Sequence, residues 1–236
     1  MENRPIQAII KRDAVRHNIS LIKKLSGGVN VFGVVKADGY GHGLSRIYSG
    51  LSDLDGLAVI EMEAAAYLRS QDAKRPILLL EGVFSAKEMR DATRLDLDLV
   101  VHSYRQIELL QQCDQDQMVN VFLKVNTGMN RLGIALKDVK ECFLALENCA
   151  AVNKITAMTH YADADGERGV DWQDAKFSNA VGYLGVPMSK SNSAALIRFG
   201  SDDEEWVRPG IMLYGVSPIE GVSAHSLGLR LSLIHI

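Results

Sequence analysis

The chain has 236 residues, of which 47% are hydrophobic and 23% are charged. This composition is typical of a folded globular protein and excludes a disordered or fibrous one. The formal net charge of -3 argues against nucleic acid or an acidic membrane as a partner bound by bulk positive charge. The sequence contains neither a signal-peptide pattern nor an apolar run long enough to span a bilayer.

Short apolar runs alternate with amphipathic helical patterns along the chain. Six runs predict buried strands, and weaker runs near Val186 and at Trp206-Val207 predict two more. The six runs are Val29–Val35, Leu57–Ile60, Ile77–Leu80, Leu97–Val101, Val119–Leu123 and Ile155–Met158. Eight strand–helix units predict an α/β fold of the parallel TIM-type (β/α)8 barrel class. A doubly wound open sheet is the alternative, since periodicity alone does not separate the two.

Residues at the starts of helical patterns predict three helix N-termini. Asp13 precedes apolar residues at helical spacing and is the expected N-cap of the first helix. Ser85-x-x-Glu88 and Ser103-x-x-Gln106 read as capping boxes that open two later helices.

The three cysteines, Cys113, Cys142 and Cys149, include no C-x-x-C pair. This spacing predicts reduced thiols in a cytoplasmic protein, and not a disulfide framework or a zinc site.

Lys36 closes the first apolar run, where a barrel places its active groups. Burial there favours the neutral amine that attacks carbonyl carbons, whereas a lysine reaching to solvent is the alternative. The glycine-rich stretch Gly39–Gly43 follows it and permits tight turns and close approach to an anion. Its spacing matches neither a Walker A loop nor the dinucleotide fingerprint.

A second group of residues follows the seventh and eighth predicted strands, where barrels often bind phosphate. Ser193 and the Gly210-Ile211 backbone belong to this group. A lysine opposite a phosphate site suggests pyridoxal phosphate (PLP). Arg208 is a candidate partner of the pyridine nitrogen, or else pairs with the acidic residues at 202–204.

Three further residues follow predicted strands and have open alternatives. His160 is a candidate for contact with a cofactor ring, but with Asp163 and Asp165 it also forms a His-x-x-Asp-x-Asp pattern that a metal could use. The metal reading lacks a second histidine at ligand spacing, so no metal is expected. Lys124 and Arg131 flank a turn and read otherwise as a solvated basic pair.

Five motifs in order resemble those of bacterial alanine racemase. Val34–Gly43 (VVKADGYGHG) resembles the PLP-lysine signature of that family, and Leu123–Gly133 (LKVNTGMNRLG) resembles its second signature. Thr159–Ala162, Asn192-Ser193 and Val207–Ile211 resemble three more. The resemblance covers nearly all of residues 5–217 and implies the fold, the cofactor and the roles that follow.

The resemblance implies that Lys36 is catalytic: it would form the Schiff base with PLP and act as the base for the D-enantiomer. Tyr40, Ser193 and the backbone after Arg208 would bind the phosphate, and Arg208 would leave the pyridine nitrogen unprotonated. Arg131 would help to position the substrate carboxylate or the region of the cofactor hydroxyl, and Lys124 is a possible carbamylation site. The implied cofactor-binding residues are Lys36, Tyr40, His160, Asn192, Ser193, Arg208, Gly210 and Ile211.

The implied activity is interconversion of L-alanine and D-alanine, which supplies D-alanine for peptidoglycan, by a cytoplasmic homodimer. Removing the Cα proton from one face and returning it on the other needs two bases. In the family the second base is a tyrosine from a second, β-rich domain across a dimer interface. Tyr40 is assigned to phosphate and Tyr214 is expected on a strand leaving the barrel. No tyrosine here matches the second base, so we expect the 236-residue chain to bind PLP weakly or aggregate, and to racemise poorly.

The end of the sequence differs from the rest. We expect residues 1–217 to form the PLP-binding barrel and residues 218–230 to begin a truncated second β domain. Residues 231–236 are apolar, start abruptly and match the read-through of a sequencing adapter, which makes an artefact the expected origin. An ordinary terminal strand is the alternative.

Three other functions compete with alanine racemisation. A non-catalytic PLP-binding homeostasis protein fits the length, but the motifs around Lys36 and Lys124 oppose it. A PLP-dependent decarboxylase of the same barrel type would need different surroundings for its lysine. A racemase acting on another amino acid, such as serine or lysine, stays open.

Overall fold

The computed structural model describes residues 7–72, 74–113 and 118–235. The strands are β1 (Ala8–Ile10), β2 (Asn30–Val34), β3 (Gly56–Val59), β4 (Ile77–Leu79), β5 (Asp98–Val101), β6 (Val119–Lys124), β7 (Val152–Met158), β8 (Met188–Ser189), β9 (Trp206–Val207) and β10 (Leu233–His235). The helices are α1 (Arg12–Leu25), α2 (Lys36–Tyr40), α3 (Leu44–Ile47), α4 (Met62–Gln71), α5 (Ala86–Arg94), α6 (Tyr104–Gln111), α7 (Val139–Glu147), α8 (Asp171–Val181) and α9 (Ser193–Phe199). Single 3-10 turns lie at Tyr48–Gly50, Leu136–Asp138 and Ile211–Tyr214.

Strands β2 to β9 form one parallel 8-stranded sheet in the order β8-β7-β6-β5-β4-β3-β2-β9. The two outer strands of this order meet, since Glu205 N donates to Met188 O at 2.9 Å and Arg208 N donates to Ser191 O at 2.9 Å. The sheet is therefore closed into a (β/α)8 barrel. This confirms the predicted fold class and excludes the doubly wound open sheet.

Apolar side chains fill the barrel on both sides of the sheet. One cluster packs the helices against the outside of the strands, because parallel strands are buried on both faces. A smaller cluster fills the interior: Phe32, Val34, Ala58, Leu78, Val100, Phe122 and Met158. Phe32 stacks on Trp206, with ring centroids 3.9 Å apart. The interior is thus a packed core that extends along the strands.

The strand predictions are confirmed for all eight runs, with β8 beginning two residues after Val186. The first capping box is also confirmed, because Ser85 Oγ accepts from Glu88 N at 3.2 Å. In the second box Ser103 makes no cap bond, and the Gln106 side chain accepts instead from His102 N at 2.8 Å.

Two local predictions are wrong. Helix α1 begins at Arg12, before Asp13, with Lys11 at the N-cap position. Asp13 pairs instead with Arg16 at 2.7 Å within the first turn. Tyr214 ends a 3-10 turn and lies on no strand, because the chain curls at Gly210, where Leu213 N donates to Gly210 O at 2.9 Å.

The segment after the barrel packs back onto α1. Strand β10 pairs antiparallel with β1. The buried Asn18 side chain accepts from Arg230 N and donates to Arg230 O, both at 2.8 Å. A strand at 233–235 is compatible with either origin of residues 231–236. That origin and the domain limits given above therefore stay predictions. Among the described helices, none combines the length and apolar character that crossing a bilayer requires.

Candidate active site

A cavity of about 520 Å³ opens at the carboxyl ends of the barrel strands. Its lining includes Val34 and Met158, which are the last residues of β2 and β7 and also belong to the interior cluster. All the site residues expected from the sequence line it: Lys36, Tyr40, Lys124, Arg131, His160, Asn192, Ser193, Arg208, Gly210 and Ile211. The structure therefore brings together residues that are up to 175 positions apart in the chain.

Lys36 is half-buried at the cavity wall, two residues after the end of β2. The turn that follows it is left-handed, with φ between 51° and 79° at every residue from Ala37 to Gly41. Only glycine adopts this conformation without a steric cost, so neighbouring contacts must stabilise the turn. Gly39 N donates to Val35 O at 3.0 Å, and Asp38 Oδ1 accepts from Leu44 N at 2.7 Å.

Hydroxyl and amide groups converge at one corner of the cavity. Ser193 Oγ accepts from Gly210 N at 2.9 Å. The Tyr40 hydroxyl lies so close to Gly210 that an added Cβ would be 2.5 Å from its oxygen. The Tyr40 ring is fixed by stacking on Tyr214, with centroids 4.7 Å apart. Hydroxyl and backbone N–H groups of this kind are suited to an anion.

Arg208 directly follows β9, two residues before Gly210, and lines the cavity with only 3% of its surface exposed. Its guanidinium donates to the Ser189 hydroxyl, to Thr159 O at 2.6 Å and to Lys190 O at 3.2 Å. Burial lowers the pKa of Arg208 to about 10, so the group keeps its charge at neutral pH. The alternative of a surface pair with residues 202–204 is wrong, since these bonds fix the side chain within the barrel.

Lys124 ends β6 and is also buried, with 6% of its surface exposed. Burial, together with the nearby charges of Arg208 and Arg131, lowers the pKa of Lys124 to about 8. Arg131 lies on the loop that follows β6. Asn126 closes this loop by accepting from Gly128 N and Asn130 N, both at 3.1 Å. Lys124 is therefore not half of a solvated basic pair.

His160 follows β7 and lies between these cations. Burial lowers the pKa of His160 well below its ordinary value, and the charge of Arg208 adds to the effect. The ring is therefore neutral at neutral pH and suited to packing against another ring. Within the described ranges, no group of three or more His, Cys, Asp or Glu residues is arranged to bind a metal ion.

An ion-pair network supports the wall behind His160. Lys190 is buried and pairs with Asp174 at 2.8 Å and Asp203 at 2.6 Å. Tyr161, which lines the cavity, donates from its hydroxyl to Asp174 at 2.7 Å. Asn192 caps α9 by accepting from Ala195 N at 3.0 Å. Its side chain is thus engaged with the helix that presents Ser193.

Several lining residues were not among the candidate site residues of the sequence analysis: Glu81, Met129, Tyr161, Ser217 and Pro218. Asp165, named there only as part of the metal pattern, also lines the cavity. Glu81 follows β4 by two residues, so the rule that placed Lys36 at a strand end could also have found it. The lining contains the cations Lys36, Lys124, Arg131 and Arg208 against the carboxylates Glu81 and Asp165. This excess of positive charge suits a ligand with more than one anionic group.

Comparison with known proteins connects this site to a family. The family model described as "Alanine racemase, N-terminal domain" matches residues 10–218. An alanine racemase of Thiobacillus denitrificans is 46% identical over 227 residues, which are 96% of this chain and 62% of that protein. An alanine racemase of Acinetobacter baumannii is 42% identical over 220 residues, which are 91% of this chain and 60% of that protein.

The fold of a solved relative is also similar. The biosynthetic alanine racemase of Pseudomonas aeruginosa superposes with a TM-score of 0.90 at 36% identity, over 98% of this chain and 65% of that one. The chain thus spans about three fifths of the length of the curated relatives described above. Because the family model covers nearly the whole barrel, the chain belongs to the alanine racemase family and corresponds to its N-terminal domain.

Proposed function

We propose that this chain is the cofactor-binding part of a PLP-dependent amino-acid racemase, an isomerase that interconverts L-alanine and D-alanine. One observation carries the proposal. A lysine amine at the end of β2 and an anion-binding corner after β8 and β9 face the same cavity. This pairing fits a cofactor that has an aldehyde at one side and a phosphate at the other.

The residues present fit PLP. The missing Cβ of Gly210 leaves room beside the Tyr40 hydroxyl, where a phosphate would be bound by Tyr40, Ser193 and the backbone of Gly210 and Ile211. Arg208 would donate to the ring nitrogen, which keeps that nitrogen unprotonated. His160 would pack at the ring, and Asn192 would support Ser193 at the start of α9. Lys36 would bind the aldehyde carbon, releasing water.

When bound, PLP supplies an electron-withdrawing ring conjugated to the substrate Cα, which makes the Cα proton easier to remove. The residues of this chain then control where the proton goes. Lys36 lines the cavity, and its amine would take or return the Cα proton on one face. Arg131 would position the substrate carboxylate by a charge-assisted hydrogen bond.

The opposite face needs a second proton carrier. The two tyrosines of the cavity are already engaged, since Tyr40 stacks on Tyr214 and Tyr161 donates to Asp174. The family resemblance assigns this role to a tyrosine of a second domain, reached across a homodimer interface. We therefore expect this chain to exchange one enantiomer's Cα proton readily and to invert it slowly.

Lys124 would modulate the same site. With its pKa lowered to about 8, part of its amine is neutral at neutral pH and can add to carbon dioxide. The product is a carbamate and a released proton. A carbamate beside Arg131 would replace a repelling cation with an anion.

The test uses the 236-residue chain in D2O with added PLP and alanine. We expect covalent binding of PLP, seen as a visible absorbance band, and deuterium exchange at the Cα of D-alanine. Both are lost in Lys36→Ala and kept in Lys140→Ala, an exposed control on α7. Binding without exchange would identify a PLP carrier, and no binding by a folded chain would overturn the cofactor assignment.

Other parts of the expected biology stay proposals. Exchange measured with serine and lysine beside alanine would define the substrate, and the mass of the full-length protein in solution would test the homodimer. The family resemblance and the sequence support two further proposals, the supply of D-alanine for peptidoglycan and a cytoplasmic location.

A further inference from the structure

Glu61 carries a structural cost that its own helix does not explain. It occupies the N-cap position of α4, but its side chain makes no cap bond there. Its Oε2 atom is buried without a hydrogen-bond partner in the described part of the chain. A buried carboxylate oxygen without a partner destabilises the folded state.

The other carboxylate oxygen of Glu61 contacts the turn that follows Lys36. Oε1 accepts a hydrogen bond from Ala37 N at 3.3 Å, across 24 residues of sequence. Ala37 is the first of five successive residues with positive φ. The Glu61 bond thus engages the backbone at the point where the chain enters its left-handed conformation.

The left-handed turn sets the spacing between the Lys36 amine and the Tyr40 hydroxyl. It connects Lys36 to Tyr40, and both side chains line the cavity. Ala37, Asp38 and Tyr40 each adopt positive φ without being glycine, which carries a steric cost for every side chain with a Cβ. Contacts from outside the turn must offset this cost. Asp38 Oδ1 fixes the end of the turn through Leu44 N at 2.7 Å, and Glu61 fixes its beginning.

We propose that Glu61 is a positioning residue that keeps the Lys36 turn in the conformation required for PLP to reach the lysine amine and the phosphate corner together. This inference rests on the proposed function and adds a residue that does not itself line the cavity. A side chain that costs stability where it stands, while stabilising a strained turn beside an active lysine, is expected at functional sites.

The inference predicts opposite effects on stability and on cofactor binding. Glu61→Met removes the orphaned oxygen and the bond to Ala37 N together, at similar side-chain volume. We expect a melting temperature equal to or above that of the wild type, with covalent PLP uptake slowed by about tenfold. Glu61→Gln keeps an oxygen for Ala37 N and restores uptake to within about twofold. The matched control is Glu63→Met, an exposed glutamate on the same helix.

A second measurement needs no cofactor. Hydrogen exchange of a peptide spanning residues 36–43 is expected to be faster in Glu61→Met than in the wild type and unchanged in Glu63→Met. If the chain takes up no PLP at all, the proposed function fails while this exchange result still tests the contact. Unchanged exchange in Glu61→Met, or a fall in its melting temperature that accounts for the loss of PLP uptake, would overturn the positioning role.

Discussion

The two ends of the barrel differ in how their charges are arranged. At the amino ends of the strands, opposite charges are paired: Lys154 lies 2.5 Å from Glu205, and Lys23 lies 2.6 Å from Asp55. At the carboxyl ends, the cations of the cavity are concentrated against fewer carboxylates, and Lys124 and Arg208 are buried there.

The amino end of the barrel therefore mainly stabilises the fold, and the carboxyl end is suited to binding a ligand. Charges paired with opposite charges cost little, whereas buried charges of one sign destabilise the fold until a ligand of the opposite sign arrives. Substitutions at the amino end should therefore mainly reduce stability. Those at the carboxyl end should raise stability or leave it unchanged, while they weaken binding.

The largest expected effect is at the amino end. Phe32 is fully buried and contacts both Trp206 and Phe122. Phe32→Ala should lower the free energy of unfolding by roughly 3–5 kcal/mol, because it leaves a cavity in the barrel interior. Denaturant titration measures this loss. Phe84→Ala, at a ring that is 56% exposed, should cost far less, and equal losses would contradict the role of Phe32 in stabilising the barrel.

At the carboxyl end, replacing Lys124 should increase the free energy of unfolding, whereas replacing Phe32 decreases it. Its pKa is lowered from 10.5 to about 8 by burial, so the folded state disfavours the charged form. The resulting penalty is complete below about pH 8 and disappears as the pH rises toward the unfolded value. Lys124→Met should therefore raise the free energy of unfolding by about 3 kcal/mol at pH 7.

The pH dependence identifies the cause of that gain. Unfolding of Lys124→Met and of the wild type should converge as the pH approaches about 10.5. Lys140→Met, at an exposed lysine of α7, should show neither the gain nor the convergence. A gain that is independent of pH would mean that packing, and not charge, separates the two ends.

Asp98 lies at the amino end of β5 but, unlike the paired charges there, its carboxylate is destabilised by burial. Burial raises the pKa of Asp98 to about 6, although Asn120 donates to its carboxylate at 2.9 Å. Stability is therefore lost as the pH rises from about 4 to about 6. Asp98→Asn keeps an acceptor for Asn120 and should gain about 3 kcal/mol at pH 8, an advantage that shrinks toward pH 4. An equal gain at both pH values would contradict the titration.

The smallest effect concerns ligand affinity alone. Gly210→Ala would place a Cβ at 2.5 Å from the Tyr40 hydroxyl oxygen, so that hydroxyl must move. We expect phosphate-ester affinity to fall by about tenfold, with little change in melting temperature. Calorimetric titration with PLP measures the loss. In the Tyr40→Phe background the same substitution should cost less, and strictly additive losses would place the clash elsewhere.

The repeating pattern of the barrel made much of this molecule predictable. The eight apolar runs became strands because a parallel strand buried on both faces needs a nearly continuous apolar sequence. The site residues were found by combining strand-end positions with the family motifs. They meet because parallel strands bring their carboxyl ends to one edge.

What the sequence could not predict depends on contacts between distant segments. The glycines of 39–43 indicated a turn, but not that Ala37, Asp38 and Tyr40 would also adopt positive φ. Glu61 lies 24 residues from the amide it binds, and no local pattern marks that bond. The N-cap at Asp13 was wrong because helix boundaries shift by a residue or two with little change in sequence preference.

The crowding of cations around one cavity has a consequence for the lifetime of the protein. A multivalent anion that binds there stabilises the folded chain only, so the folded fraction rises with the concentration of that anion. Proteases degrade the unfolded fraction. The amount of this protein in a cell should therefore follow the supply of its anionic ligand, and starvation for that ligand should shorten its half-life before any effect on its catalysis is measured.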